Sequence, residues 1–112
     1  IAQLNLMAGR KAKKSAAYDA SFKYLKQGLE LLSTDRWQKH YNLTLELYLE
    51  TAEAAYLCVN FEETERLVLI IIKNAHDLLD KVKAYEIELA SYIYHHKYLE
   101  AIEIGLSVLK LL

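Results

Sequence analysis

The sequence predicts an all-α fold, a single helical-repeat domain over residues 1–112 built of three antiparallel helical hairpins near 1–32, 35–75 and 78–112. Three observations carry this. There is no proline and there are three glycines, Gly9, Gly28 and Gly105, in 112 residues, where average usage gives roughly six and eight. The turns of β-sandwiches and barrels draw on both residues, so an all-β fold is excluded. Apolar residues recur at helical spacing along nearly the whole chain, and at 54% of the composition they suffice to bury a core and exclude disorder. The breaks between periodic segments are only a few residues long, which forces neighbouring helices antiparallel.

Helices are expected near 2–13, 16–32, 36–58, 61–75, 78–95 and 98–112. Lys14-Ser15 separates the first two. Ser33-Thr34-Asp35, just before Trp37, is the strongest internal N-cap signal and starts the third. That third helix carries two apolar stripes. Trp37, Tyr41, Leu45, Tyr48, Ala52 and Ala55 form one, and Leu43, Leu47, Ala54 and Leu57 the other; the acidic ridge Glu46, Glu50, Glu53 runs between them. An ordinary surface helix has one buried stripe, so two stripes mean a helix sandwiched between neighbours. Val59-Asn60 opens the fourth helix, whose Leu67–Ile72 run of six apolar residues would in isolation pass for a buried strand. It lies within Phe61–Ala75 without a turn signal on either side, so it reads as helix, fully enclosed or with one side against something outside this segment. Softer breaks at Asn74–Asp77 and His95-His96-Lys97 delimit the last two helices. The three glycines fall inside helices, where backbones approach closely.

An aromatic residue opens the second helix of each hairpin: Tyr18, Phe61 and Tyr98. Three residues later come the small side chains Ser21, Thr64 and Ala101. Nine residues before come Gly9, Ala52 and Leu89, and six before, Ala12, Ala55 and Tyr92. Small residues at a helix crossing admit a large side chain from the partner. This resembles the tetratricopeptide repeat, whose period is 34 residues; the spacings here are longer, 43 and 37. The resemblance implies three hairpins stacked as a right-handed superhelix with elongated helices. The first helix of each hairpin would then line the concave groove, drawing on Arg10, Lys13, Lys14, Glu46, Leu49, Glu53, Tyr56, Lys83, Glu86, Ile93 and Tyr94. A merely solvated concave face is the alternative. The Lys/Asn constellation with which many tetratricopeptide domains clamp a C-terminal carboxylate is missing at the matching positions, which disfavours capture of chain termini.

Longer stretches resemble one family more closely. Gly9–Tyr18 (GRKAKKSAAY), Gly28–Leu32 (GLELL), Trp37–Leu57 (WQKHYNLTLELYLETAEAAYL), Leu78–Ile87 (LLDKVKAYEI) and Glu100–Leu112 are similar to the helical region of large multidomain bacterial signalling proteins. Those chains join a serine/threonine-kinase-like module, an AAA-type ATPase, a tetratricopeptide-like stretch, a GAF sensor and a histidine kinase. The resemblance implies a non-catalytic module making protein–protein or interdomain contacts within a signal-transduction ATPase/histidine kinase. Partners would be proteins or neighbouring domains of the same chain, with homo-oligomerisation through exposed apolar faces also open. Cys58-Val59-Asn60 departs from the small or polar turn of that family, so a tighter or less regular loop is expected there. The opening at Ile1 and the apolar helix still running at Leu112 are expected to be cuts from a longer polypeptide.

Other classes of function find little support. No apolar run approaches the roughly 20 residues of a membrane helix, and no basic leader opens the chain. With a single cysteine, Cys58, there is no disulfide framework, which fits a reducing, cytoplasmic setting. Residues 1–40 carry eight basic and three acidic residues, whereas residues 41–112 carry six basic and twelve acidic. That dipolar layout favours head-to-tail contact between neighbouring modules. The cluster Arg10-Lys11-Ala12-Lys13-Lys14 has no interleaved aromatics, so nucleic acid is disfavoured and a solvated helix C-terminus is the simpler reading. His95-His96 lacks an acidic or thiol partner one turn away, so no metal site is expected, and no cofactor or catalytic group either. A small-molecule sensor with a pocket among the nine tyrosines is the alternative to a binding module.

Overall fold

The computed structural model describes residues 1–112 and contains seven helices and no strand. They are α1 (Ala2–Lys14), α2 (Tyr18–Glu30), α3 (Arg36–Lys39), α4 (Tyr41–Leu57), α5 (Phe61–Asn74), α6 (Leu78–Tyr94) and α7 (Tyr98–Leu111). Helices α1 and α2, α4 and α5, and α6 and α7 pack as consecutive pairs. Helix α4 seats on both α1 and α2, and α6 on both α4 and α5. The molecule is 20 Å across its thinnest dimension, which is two helix diameters and hence two layers.

The three pairs turn in one and the same way. Ser15, Cys58 and His95 end their helices near φ −90°, ψ 8°. Ala16 (φ 59°), Val59 (φ 63°) and His96 (φ 59°) follow in the left-handed region. The next residue closes the turn with a hydrogen bond five residues back: Ala17 N–H to Ala12 O, Asn60 N–H to Ala55 O, Lys97 N–H to Tyr92 O. This is a Schellman closure with a side chain where glycine is usual. Cys58-Val59-Asn60, expected to be tighter or less regular, therefore has the geometry of its two counterparts.

Each turn delivers its aromatic to the start of the second helix and the small residue after it to the crossing. Ser21 Oγ donates to Gly9 O (2.7 Å) and Thr64 Oγ1 to Ala52 O (3.2 Å), both buried and both spanning twelve residues. The third crossing has buried Ala101 in that place and no hydroxyl. Gly9 lies so close to Leu25 that a Cβ there would collide with it, and a Cβ on Gly28 would come within 3.0 Å of Leu47 Cδ2. Gly105 departs from expectation: nothing lies within 4 Å of where its Cβ would be.

The helix expected over 36–58 is broken at His40 (φ −133°, ψ 54°) into α3 and α4. Arg36 holds α3 to the preceding connection, donating to Ser33 O and Leu32 O, and its guanidinium also reaches Tyr48 Oη at 3.1 Å. Trp37 packs against Tyr41 and Tyr48, 5.8 and 5.1 Å between ring centres. Asp35 does stand at the N-cap of α3, but its carboxylate caps no backbone N–H; it accepts from Ser33 Oγ and pairs with Lys39. Side-chain caps occur instead at Asn60 and Asp77, which accept from the N–H of Glu63 and Asp80.

Helix α4 is sandwiched as its two stripes require: Thr44, Leu45, Leu47, Tyr48, Thr51, Ala52, Ala54 and Ala55 are all buried. In the apolar run of α5, Leu67, Val68 and Ile71 are buried, Ile70 and Ile72 lean on the core, and Leu69 alone is exposed. Helical geometry thus resolves the run into an inward arc and a single outward residue.

Candidate binding surface

Most of the candidate groove residues form two clusters that adjoin on α4. In the first, α1 meets the acidic ridge of α4. Lys13 Nζ lies 2.5 Å from Glu50 Oε1 and 2.7 Å from Glu53 Oε1; Arg10 Nε lies 2.7 Å from Glu50 Oε2 and its Nη2 3.6 Å from Glu46 Oε2. The Lys13 and Glu50 side chains are 15% and 22% exposed, so this is a partly desolvated network rather than a scatter of surface pairs. Burial pushes the Glu50 carboxyl up, but hydrogen bonds from Lys13 and then Arg10 outweigh it and hold the group below its ordinary value. Glu50 is the hub of the network. The acidic ridge pointed to it, but only the approach of α1 shows that it links both cations. Lys14 stays outside the network, exposed beside Met7, Arg10 and Lys11.

One turn beyond Glu53 on α4, Tyr56 meets Tyr94 edge-on, with ring centres 5.6 Å apart. Phe61 lies between Tyr94 (6.5 Å) and His95, on which it stacks at 3.9 Å. Ile93 and Tyr94 are about half exposed, and burial, with the nearby Glu53 carboxylate second, raises the Tyr56 hydroxyl. Phe61 and His95 belong to this patch; the repeat spacing marked Phe61 as a turn aromatic and His95 as a helix break, but neither as a groove residue. Glu86 is exposed and Lys83 makes only a loose pair with Asp80 at 3.8 Å. Leu49 packs against the core.

Beside the aromatic patch, Val59, Phe61, Glu62, Glu65, His95 and Lys97 frame an open depression of about 360 Å³. Of all the surface depressions, only the one bounded by Lys26, Arg36 and Arg66 includes a tyrosine, Tyr48. No group of three His, Cys, Asp or Glu side chains has metal-binding geometry. Burial, followed by a hydrogen bond to Asp19, pushes the Cys58 thiol up to about 11, which keeps it protonated and a poor nucleophile at neutral pH. His96 Nδ1 lies 2.8 Å from Tyr98 Oη, and His76 stacks on Tyr41 with ring centres 3.6 Å apart. No helix is long and apolar enough to cross a membrane.

No family model matches the chain, and no solved structure matches it. It is similar to hybrid signal transduction histidine kinase G of Dictyostelium discoideum, 25% identical over 121 residues. The match takes in 98% of this chain and 4% of that relative, so the chain spans a small fraction of the relative's length.

Proposed function

We propose that this chain is a non-catalytic helical-repeat module that makes protein–protein or interdomain contacts inside a larger signal-transduction protein. The observation that carries this is the thrice-repeated unit: one turn geometry, one register, and at the first two crossings one hydroxyl-to-carbonyl bond. A unit of that kind cannot bury its own apolar faces, and stacking the units produces an extended surface, the ordinary use of which is to hold other polypeptides. The three pairs read best as hairpins of a tetratricopeptide-like right-handed superhelix. Direct contact along the series α1, α4, α6 supports a concave side formed by the first helices, because α2, α5 and α7 make no comparable contact. The likeness to a hybrid histidine kinase supports a signalling context, in which an ATPase or kinase activity would reside elsewhere in the parent chain.

The surface offered to a partner is the Tyr94 patch. The adjoining α1–α4 joint is occupied by its own ion pairs, and the same pairing removes Arg10 and Lys13 from the basic cluster that a nucleic acid would use. A tyrosine-lined sensor pocket is less well supported, since Tyr56 and Tyr94 pack on each other. The reading is tested by affinity capture with the wild-type chain, Tyr94→Glu and, at an exposed position of α2, Lys23→Glu, followed by titration of each captured protein. A partner that binds wild type and Lys23→Glu but loses at least about tenfold in affinity for Tyr94→Glu supports it. Equal binding by all three chains overturns the surface. A metabolite or metal ion that raises the melting temperature by several degrees while no protein binds overturns the module reading in favour of a sensor.

A further inference from the structure

Residues 31–40 join α2 to α4, whereas only residues 75–77 join α5 to α6. The extra chain holds α3, the one helix without a counterpart in the repeat, and α3 carries Arg36. Lys26, Leu29 and Glu30 of α2, Arg36 of α3, Tyr48 of α4 and Arg66 of α5 together frame an open depression of about 260 Å³. Its three cations are unequally neutralised. Arg10 and Arg66 pair with glutamates, but Arg36, the third arginine of the chain, has no carboxylate within 4.0 Å. Arg36 donates instead to neutral oxygens, Ser33 O, Leu32 O and Tyr48 Oη. A half-buried guanidinium is thus left without a counter-charge, and part of its five-donor fork is unused. Tyr48 is 8% exposed; its hydroxyl accepts from Arg36, and the hydroxyl proton has no acceptor in the protein. Lys26 and Arg66 share a single carboxylate, that of Glu63, which is not part of the lining. Glu30 is exposed and pairs with no cation.

We propose that this depression binds a phosphate monoester, the terminal group of a phosphorylated side chain or of a small phosphorylated ligand. Buried Tyr48 and half-buried Arg36 supply donors from the base. Lys26 and Arg66, whose side chains are 51% and 56% exposed, supply them from α2 and α5. Donors arriving from four elements suit the three oxygens of a tetrahedral centre better than the two coplanar oxygens of a carboxylate. A monoester carries a charge of about −1.5 to −2 at neutral pH. That matches a set in which one cation is unpaired and two others share one carboxylate, whereas the singly charged diester of a nucleic-acid backbone matches it less well. Glu30 on the rim opposes the anion. The site shares no residue with the Tyr94 patch, so the fate of either leaves the other standing.

Nuclear magnetic resonance titration at low salt tests this, following the side-chain Nε–H signals of Arg36 and Arg66. The probes are inorganic phosphate, a short phosphoserine peptide, the same peptide unphosphorylated, and acetate. Saturable shifts with a Kd of about 1 mM or tighter are expected for at least one phosphate probe, weakening as salt is added. Lys26→Gln and Arg66→Gln, both at exposed positions, should each weaken binding at least about threefold, and Glu30→Gln should tighten it by a similar factor. Lys110→Gln removes the same charge from α7 and should change nothing; unaltered helical circular dichroism verifies folding in each case. The phosphopeptide should also bind at least about threefold more weakly at pH 5 than at pH 7.5, as its phosphate gains a proton. A phosphopeptide bound at least about tenfold tighter than inorganic phosphate assigns a phosphorylated side chain, and comparable affinities assign a small phosphorylated ligand. Shifts that do not saturate overturn the proposal. So does equal affinity for acetate or the unphosphorylated peptide, or weakening by Lys110→Gln as large as by Arg66→Gln.

Discussion

At Val59 the backbone sits at φ 63°, in a region where a β-branched side chain crowds its own carbonyl at a cost of about 1–2 kcal/mol. The residue is exposed and its side chain is not part of the core, so nothing in packing offsets that cost. Val59→Gly is expected to stabilise the chain by about 1 kcal/mol, seen as a raised urea midpoint with unchanged slope. A lower midpoint would mean that the Val59 side chain contributes contacts in the folded state. The glycines give the converse test. Gly9→Ala drives a methyl into fully buried Leu25 and is expected to cost about 1–3 kcal/mol. Gly105→Ala meets open space in a helix interior and is expected to gain about 0.5–1 kcal/mol. Equal effects of the two in thermal melts would contradict the close α1–α2 crossing. Sequence showed that these glycines lie in helices; which of them admit a neighbour depended on whether a large side chain stood opposite, and for Gly105 none does.

The joint between α1 and α4 is where element packing becomes visible to pH. The folded Glu50 carboxyl lies below its ordinary value of 4.5, so its ion pairs stabilise fully above that pH and the contribution is lost as pH falls through the folded value. Glu50→Gln is therefore expected to lower the urea midpoint at neutral pH, and the gap from wild type should shrink steadily below about 4.5. A gap independent of pH would show that the glutamate acts by shape rather than charge. Five of the six expected helices were legible from apolar spacing, because period and length agree along them. The interruption at His40 was not. It involves neither proline nor glycine and is set by tertiary contacts, Arg36 on Ser33 O and Leu32 O and Trp37 on two tyrosines. Ser33-Thr34-Asp35 looked like a cap because its residue types suit one, yet Asp35 is engaged by Ser33 and Lys39. Contacts among the candidate groove residues were legible in part. Arg10 meets Glu46, Lys13 meets Glu53 and Tyr56 meets Tyr94, all from that set, but Phe61 and His95 lay outside it, because their meeting depends on how successive turns line up.

Across the whole molecule burial is graded. Helix α4 contributes eight buried residues, α6 two and α7 only Ala101. In a linear array each unit is held by its neighbours alone, so local opening is expected to follow that gradient rather than occur in one step. Amide hydrogen exchange at low protein concentration should find α4 and the α2 and α5 segments facing it slowest, and α7 fastest by at least about tenfold. Helix α1 should lie between, because its ion pairs to Glu50 and the Gly9 crossing tie it to two helices, whereas α7 leans on α6 alone. Uniform protection from α1 to α7 would indicate a single cooperative unit and contradict the array.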